Sequence, residues 1–164
     1  MNRKNLKGTQ DIPRVIILYD SLFGNTKKVA MSLNRGLESG GLYVDSNSIH
    51  EFDINELENY DIIGIGSPTH MRGISKPMKL FLSRIKHSKL SDKKGFIFET
   101  KASFPLSGSA AKKILRYFKM MKIELSYPVI TGIVLGKEGP LEENTLAKME
   151  EIGLDIADKM NKSI

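Results

Sequence analysis

The chain has 164 residues, 40% of them hydrophobic, a net charge of +6, and neither cysteine nor tryptophan. Length and composition fit one globular domain with a sizeable core. The missing cysteines exclude disulfides, thiolate metal centres, iron–sulfur clusters and cysteine nucleophiles, so any redox chemistry has to come from a bound cofactor.

A cysteine-free chain also fits the cytoplasm. No apolar stretch is long enough to span a bilayer. Residues 1–13 are polar and basic, with Arg3, Lys4 and Lys7, and lack the apolar centre of a secretion signal. They are expected to form a flexible tail ahead of a domain at 14–164.

The first element, Val15–Tyr19, is a run of apolar residues expected as a buried strand. Asn25–Ser39 follows with helical spacing of Val29, Ala30, Leu33 and Leu37, and Gly40-Gly41 closes it. Tyr43–Ile49 alternates weakly and reads as an edge strand, and Asp53–Tyr60 as a short helical turn around Leu57. Asp61–Gly66 is the next buried strand, and Ser75–Ile85 a helix with Pro77 in its first turn. Gly95–Thr100 is a strand, Ser109–Lys122 a helix, Pro128–Leu135 a strand and Leu141–Met160 the last helix. Five strands alternating with helices predict an α/β fold, a doubly wound parallel sheet with helices on both faces. The two purest apolar strands belong at its centre, which gives the order 2-1-3-4-5. A ligand then sits at the carboxyl ends of the first and third strands.

Three loops leave that end of the sheet. The first, Ser21-Leu22-Phe23-Gly24-Asn25-Thr26, joins a strand to a helix N-terminus, where free amides and the helix dipole favour an anion. Ser21, Asn25 and Thr26 add side-chain donors, and Gly24 lets the backbone approach closely. A capped helix start explains one of these donors, but not three and a glycine, so the loop is read as a phosphate site. It has neither the glycine-lysine-threonine of a triphosphate loop nor a G-x-G-x-x-G dinucleotide fingerprint.

The second loop is Ser67-Pro68-Thr69-His70-Met71-Arg72-Gly73. Gly64 and Gly66 before it are expected to let a flat ligand approach the strand, and Gly73 to take a backbone conformation other residues avoid. His70 and Met71 offer a ring and a sulfur to a planar heterocycle, although His70 alone reads slightly better as a surface histidine than as a catalytic residue. The third loop, Thr100–Ser109, carries Lys101, Ala102, Ser103 and Phe104. Phe104 either covers the second face of a flat ligand or packs on the helix behind it.

Between Arg72 and Lys122 there are fourteen Lys/Arg and only two acids, Asp92 and Glu99. Such a stretch either keeps two helices soluble or steers an acidic partner. It lacks the interleaved aromatics of a nucleic-acid module, so no nucleic-acid partner is expected.

With these loops in this order, the chain resembles the flavodoxin-like family of FMN-binding proteins from Arg14 to Lys162. Tyr19–Thr26 resembles the family's phosphate loop, and Asp61–Thr69 its third strand and the start of its ring-binding loop. Phe104–Ala111 and Glu138–Leu141 resemble further segments of the single-domain members. The resemblance implies a non-covalent FMN. Its phosphate is held by Ser21, Leu22, Phe23, Gly24, Asn25 and Thr26. Its ring lies between Pro68, Thr69, His70, Met71, Arg72 and Gly73 on one side and Thr100, Lys101, Ala102, Ser103 and Phe104 on the other. It also implies electron shuttling with a redox partner protein, here an acidic one, with reduction of a quinone or oxidation of a porphyrinogen as the alternative. Lys101 and Arg72 are the cations expected near a reduced ring. Electron-carrying flavodoxins flank the ring with tryptophan and tyrosine, whereas this chain has no tryptophan and neither ring loop has a tyrosine. The topology is shared with phospho-receiver domains, but those need an aspartate at the end of the third strand, where this chain has Gly66-Ser67-Pro68.

Overall fold

The computed structural model describes residues 11–163. Most of the basic stretch expected as a tail therefore lies outside the described residues. The elements run β1 (Arg14–Tyr19), α1 (Asn25–Ser39), β2 (Tyr43–Ser48), a 3-10 turn (Ile54–Asn59), β3 (Ile62–His70) and β4 (Gly73–Ile74). They continue through α2 (Lys76–Ile85), β5 (Lys94–Ala102), α3 (Ala111–Met121), β6 (Glu124–Leu125), β7 (Ile130–Val134) and α4 (Thr145–Lys162). The sheet order is β2-β1-β3-β5, with β6 and β7 both pairing with β5 in parallel. This is the expected doubly wound α/β architecture, with the expected fifth strand present as β7 and a short additional strand, β6, ahead of it.

Two cores sandwich the sheet because successive strand residues point to opposite faces. Ile16, Leu18, Ile63, Ile65 and Ile97 pack beneath α2 and α3. Val15, Ile17, Phe96 and Phe98 pack beneath α1 and α4. On that second face α1 and α4 cross at Gly36 and Gly153, where an added Cβ would lie 2.0 Å from Glu150 O and 2.4 Å from Leu33 O. Among the described residues, no helix is long and apolar enough to cross a membrane.

Several boundaries depart from the sequence expectation, and the extensions of β3 and β5 shape the cleft. β3 does not stop at Gly66; it continues through Pro68 to His70 and turns back as β4, pairing Thr69 with Ile74 and His70 with Gly73. The second loop is therefore a β-hairpin with a two-residue tip. Met71 (φ 47°) and Arg72 (φ 70°) both lie in the left-handed region, the geometry a tight hairpin turn demands. The conformation expected of Gly73 falls on these two side-chain-bearing residues instead.

Gly64 and Gly66 make room for protein, not for a ligand. A Cβ on Gly64 would lie 2.3 Å from Phe96 Cζ, and one on Gly66 2.0 Å from Phe98 Cε2. β5 also runs on to Ala102, so Lys101 and Ala102 are strand residues. α3 starts at Ala111 and α4 at Thr145, both later than expected. β6, which was not expected, is separate from β7 because Gly95 pairs with Leu125 but Phe98 with Ile130, which inserts two extra residues around Tyr127-Pro128.

Candidate functional site

The phosphate-type loop stands between the carboxyl end of β1 and the first turn of α1. Gly24 is the helix N-cap at φ 88°, a conformation that strains any side-chain-bearing residue. With no side chain capping the helix, none of the amides from Ser21 to Thr26 donates to a protein acceptor among the described residues. The loop's three polar side chains serve its shape. Ser21 Oγ accepts from Lys27 N at 3.1 Å, and Asn25 Nδ2 donates to Glu138 O at 3.0 Å. Thr26 Oγ1 and Thr100 Oγ1, both buried, lie 2.8 Å apart and tie the loop to the end of β5. What remains is a row of unspent backbone donors at a helix start, the chemistry an anion requires.

A cleft of about 400 Å³ opens beside this row. It brings together Ser21, Leu22, Phe23, Asn25 and Thr26 from the first loop, Pro68, Thr69, His70 and Met71 from the hairpin, and Thr100, Lys101 and Ala102 from β5. Three loops predicted from separate parts of the sequence thus meet in one place. Gly24, Arg72, Gly73, Ser103 and Phe104 do not line it. Gly24 shapes the loop from behind, and Gly73 lines the other side of the hairpin. Phe104 is 58% exposed. Arg72 sits at the hairpin tip and touches the third loop, where Ser109 N donates to Arg72 O at 3.3 Å.

Lys101 reaches the cleft, but its ammonium is engaged. Nζ donates to Gly108 O at 3.0 Å and lies 4.0 Å from Glu99 Oε1. Glu99 is a buried carboxylate that also accepts from Ser109 Oγ, from Ala111 N at the start of α3 and from Thr131 Oγ1. Every oxygen of this buried charge is satisfied, as its burial requires. It clamps both ends of the third loop to the sheet.

The stem of the hairpin is fixed by a second buried network. Asp20 Oδ2 accepts from Ser75 Oγ at 2.6 Å, and Ser67 Oγ accepts from Ser75 N at 3.3 Å. Asp20 Oδ1 lies 3.2 Å from His50 Nε2. Ser75 also caps α2 by accepting from Met78 N. Neither Asp20 nor Ser75 carries a sequence signal for this role; only the register of β1, β3 and α2 brings them together.

Sequence reasoning also missed the loop after β7, whose Val134, Gly136 and Lys137 line the cleft. Strand topology was the available signal, because every loop at the carboxyl edge of such a sheet faces the same crevice. Asn25 reaches across to this loop at Glu138. Lys137 thereby adds a cation to a cleft whose other lysine is already engaged.

The family model described as flavodoxin domain matches residues 16–126 of this chain, more than half of it. An uncharacterized protein of Methanocaldococcus jannaschii is 26% identical over 147 residues, covering 87% of this chain. The chain spans only 36% of that relative's length. A flavodoxin of Clostridium saccharobutylicum is 29% identical over 125 residues, which cover 76% of this chain and 77% of the relative. Among solved structures, a flavodoxin from the domain Archaea superposes with a TM-score of 0.76 at 26% identity, covering 90% of this chain and 99% of its own. The sheet order, the phosphate-type loop and these matches agree, and the chain belongs to the flavodoxin-domain family.

Proposed function

We propose that this protein is an FMN-binding electron-transfer protein that exchanges electrons with an acidic redox partner. The observation that carries the reading is the row of unspent amides from Ser21 to Thr26, opening into a cleft walled by the hairpin and the end of β5. These donors fit the FMN phosphate, with Thr26 and Thr100 beneath it and Lys137 at its rim. Pro68 to Met71 and Thr100 to Ala102 form the two walls for the ring, while Arg72, Gly73, Ser103 and Phe104 frame the slot from outside. When bound, FMN supplies the one- and two-electron chemistry, and the protein tunes it through contacts and charge. Glu99 and Asp20 act on that slot indirectly, by holding the third loop and the hairpin stem in place.

Lysines and arginines on α2, α3 and the segment between Lys86 and Lys94 make the partner-facing surface basic. Such a surface speeds encounter with an acidic partner and makes it sensitive to salt. A cysteine-free electron carrier suits the reducing cytoplasm.

Purification followed by a visible spectrum tests the cofactor. Bound flavin bands, and stoichiometric quenching of added FMN fluorescence, are expected. A colourless protein that fails to quench FMN overturns the reading.

A second reading is an FMN-dependent oxidoreductase acting on a quinone or a porphyrinogen. It is favoured by the bare rim of the slot, where Met71 is 99% and Phe104 58% exposed and neither tryptophan nor loop tyrosine covers the opening. His70 would then exchange the proton. Saturable steady-state turnover with a soluble quinone supports this reading, whereas slow, unsaturable reduction supports the carrier.

A further inference from the structure

The hairpin has two sides. Behind the side that faces the first cleft lies a second cleft of about 830 Å³. That volume falls within the range of about 300–1,000 Å³ typical of small-molecule sites. Leu22, Met71, Ile74 and Pro77 give it an apolar lining, and Lys76, Lys79 and Lys113 give it cations. Its single carboxylate, Asp20, is 7% exposed, and its two oxygens are taken by Ser75 and His50. Those hydrogen bonds do not cancel its charge, but Asp20 makes no ion pair with any of the three ammonium groups. None of the three is within ion-pair distance of a carboxylate among the described residues.

The helices behind the cleft add to this imbalance. α2 begins with Lys76 and α3 carries Lys112 and Lys113 in its first turn, and neither helix has an acidic residue there. The amino end of a helix already carries partial positive charge, so cations placed there are unfavourable and acids are the usual occupants. Two helices break that preference toward one cavity. Solubility alone is served as well by lysines at the carboxyl ends of the same helices. An anion seated between Lys79 and Lys113 removes the unfavourable charge at both helix starts.

We propose that this second cleft binds a small organic anion, with an apolar, ring-sized body against Leu22, Met71, Ile74 and Pro77 and a carboxylate, sulfonate or phosphate group between Lys79 and Lys113. Ser21, Leu22, His70 and Met71 line both clefts, so the occupant lies beside the first site, across the first loop and the hairpin. The inference does not depend on what fills the first cleft.

The test uses isotopically labelled protein, saturated with FMN in one arm and FMN-free in the other. Each is titrated with 1-anilinonaphthalene-8-sulfonate and, separately, with inorganic phosphate, while backbone amide shifts are followed. One saturable site per chain is expected, with shifts clustered at His50, Ile74, Lys76 and Lys113 in both arms and weaker binding of phosphate alone. Lys79→Glu/Lys113→Glu should weaken the sulfonate at least tenfold, and Lys148→Glu on α4 should leave it within twofold. Shifts spread along Lys86–Lys94, absence of saturation, loss of the site when FMN is added, or indifference to the double reversal would each overturn the proposal. Should the double variant not fold, the single Lys79→Ala is read against the same twofold limit. Failure to bind FMN, seen in the same samples, counts against the flavin reading and leaves this result standing.

Discussion

The phosphate-type loop and the hairpin face each other across the cleft and are built on opposite principles. In the loop, the one unusual backbone position is a glycine, Gly24, and every polar side chain is held: Ser21 by Lys27, Asn25 by Glu138, Thr26 by Thr100. In the hairpin, the unusual positions fall on Met71 and Arg72, and Met71 at the tip is 99% exposed. Left-handed geometry on side-chain-bearing residues costs on the order of 1–3 kcal/mol each. The loop side of the cleft is thus preorganised without strain, while the hairpin side stores strain on a support anchored by Asp20 and Ser75. An unstrained wall holds its shape, and a strained wall is the part that is able to change.

The largest break of this contrast is expected from Gly24→Val. A β-branched residue at φ 88° costs about 1–3 kcal/mol and displaces the amides. FMN affinity should fall roughly tenfold to a hundredfold. Riboflavin, which lacks the phosphate, should lose much less, and fluorescence titration of both ligands separates the two effects.

Thr26→Val and Thr100→Val come next. Each leaves a buried hydroxyl without its partner, a cost of about 1–3 kcal/mol in urea unfolding. The double variant should cost less than the two singles summed, because no orphan remains.

The hairpin should respond with the opposite sign. Met71→Asn/Arg72→Gly places residues suited to the tip and should stabilise the fold by about 1 kcal/mol, seen as a higher melting temperature. The preference for FMN over riboflavin should stay unchanged.

The smallest effect is expected at Tyr60, far from either loop. Burial first, then its hydrogen bond to Asp45, pushes the phenol up to about 12. The proton is held more tightly in the folded state than in the unfolded state. The stabilisation is therefore complete below pH 10 and is lost as pH rises toward 12. Tyr60→Phe should cost about 1 kcal/mol at neutral pH and flatten the alkaline decline in a pH series of urea melts.

Much of the fold was legible because its signals are local. The apolar run Val15–Leu18, the helical spacing from Val29 to Leu37 and the closing Gly40-Gly41 each dictate their own element. The phosphate-type loop was legible for the same reason. The hairpin was not: its tip lacks the Asn-Gly signature, Pro68 argues against a strand, and only two residue pairs define it. Gly64 and Gly66 were misread as room for a ligand because their true neighbours, Phe96 and Phe98, lie some thirty residues away, and only strand register reveals them. Asp20, His50, Ser75 and Lys137 were missed for that reason too; each gains meaning from a distant partner or from a shared cleft.

Those glycine–phenylalanine pairs also act as a gauge. Gly64 opposes Phe96, Gly66 opposes Phe98, and two steps further Pro68 opposes Thr100 at the mouth of the cleft. A one-residue slip between β3 and β5 would shift the strands by about 3.3 Å and drive branched side chains into the space the phenyl rings fill. The pins stand in the middle of the sheet, but the dimension they set is the offset between the slot's two walls. A substitution at Gly66, which does not itself line the cleft, would therefore be felt first as two walls out of step.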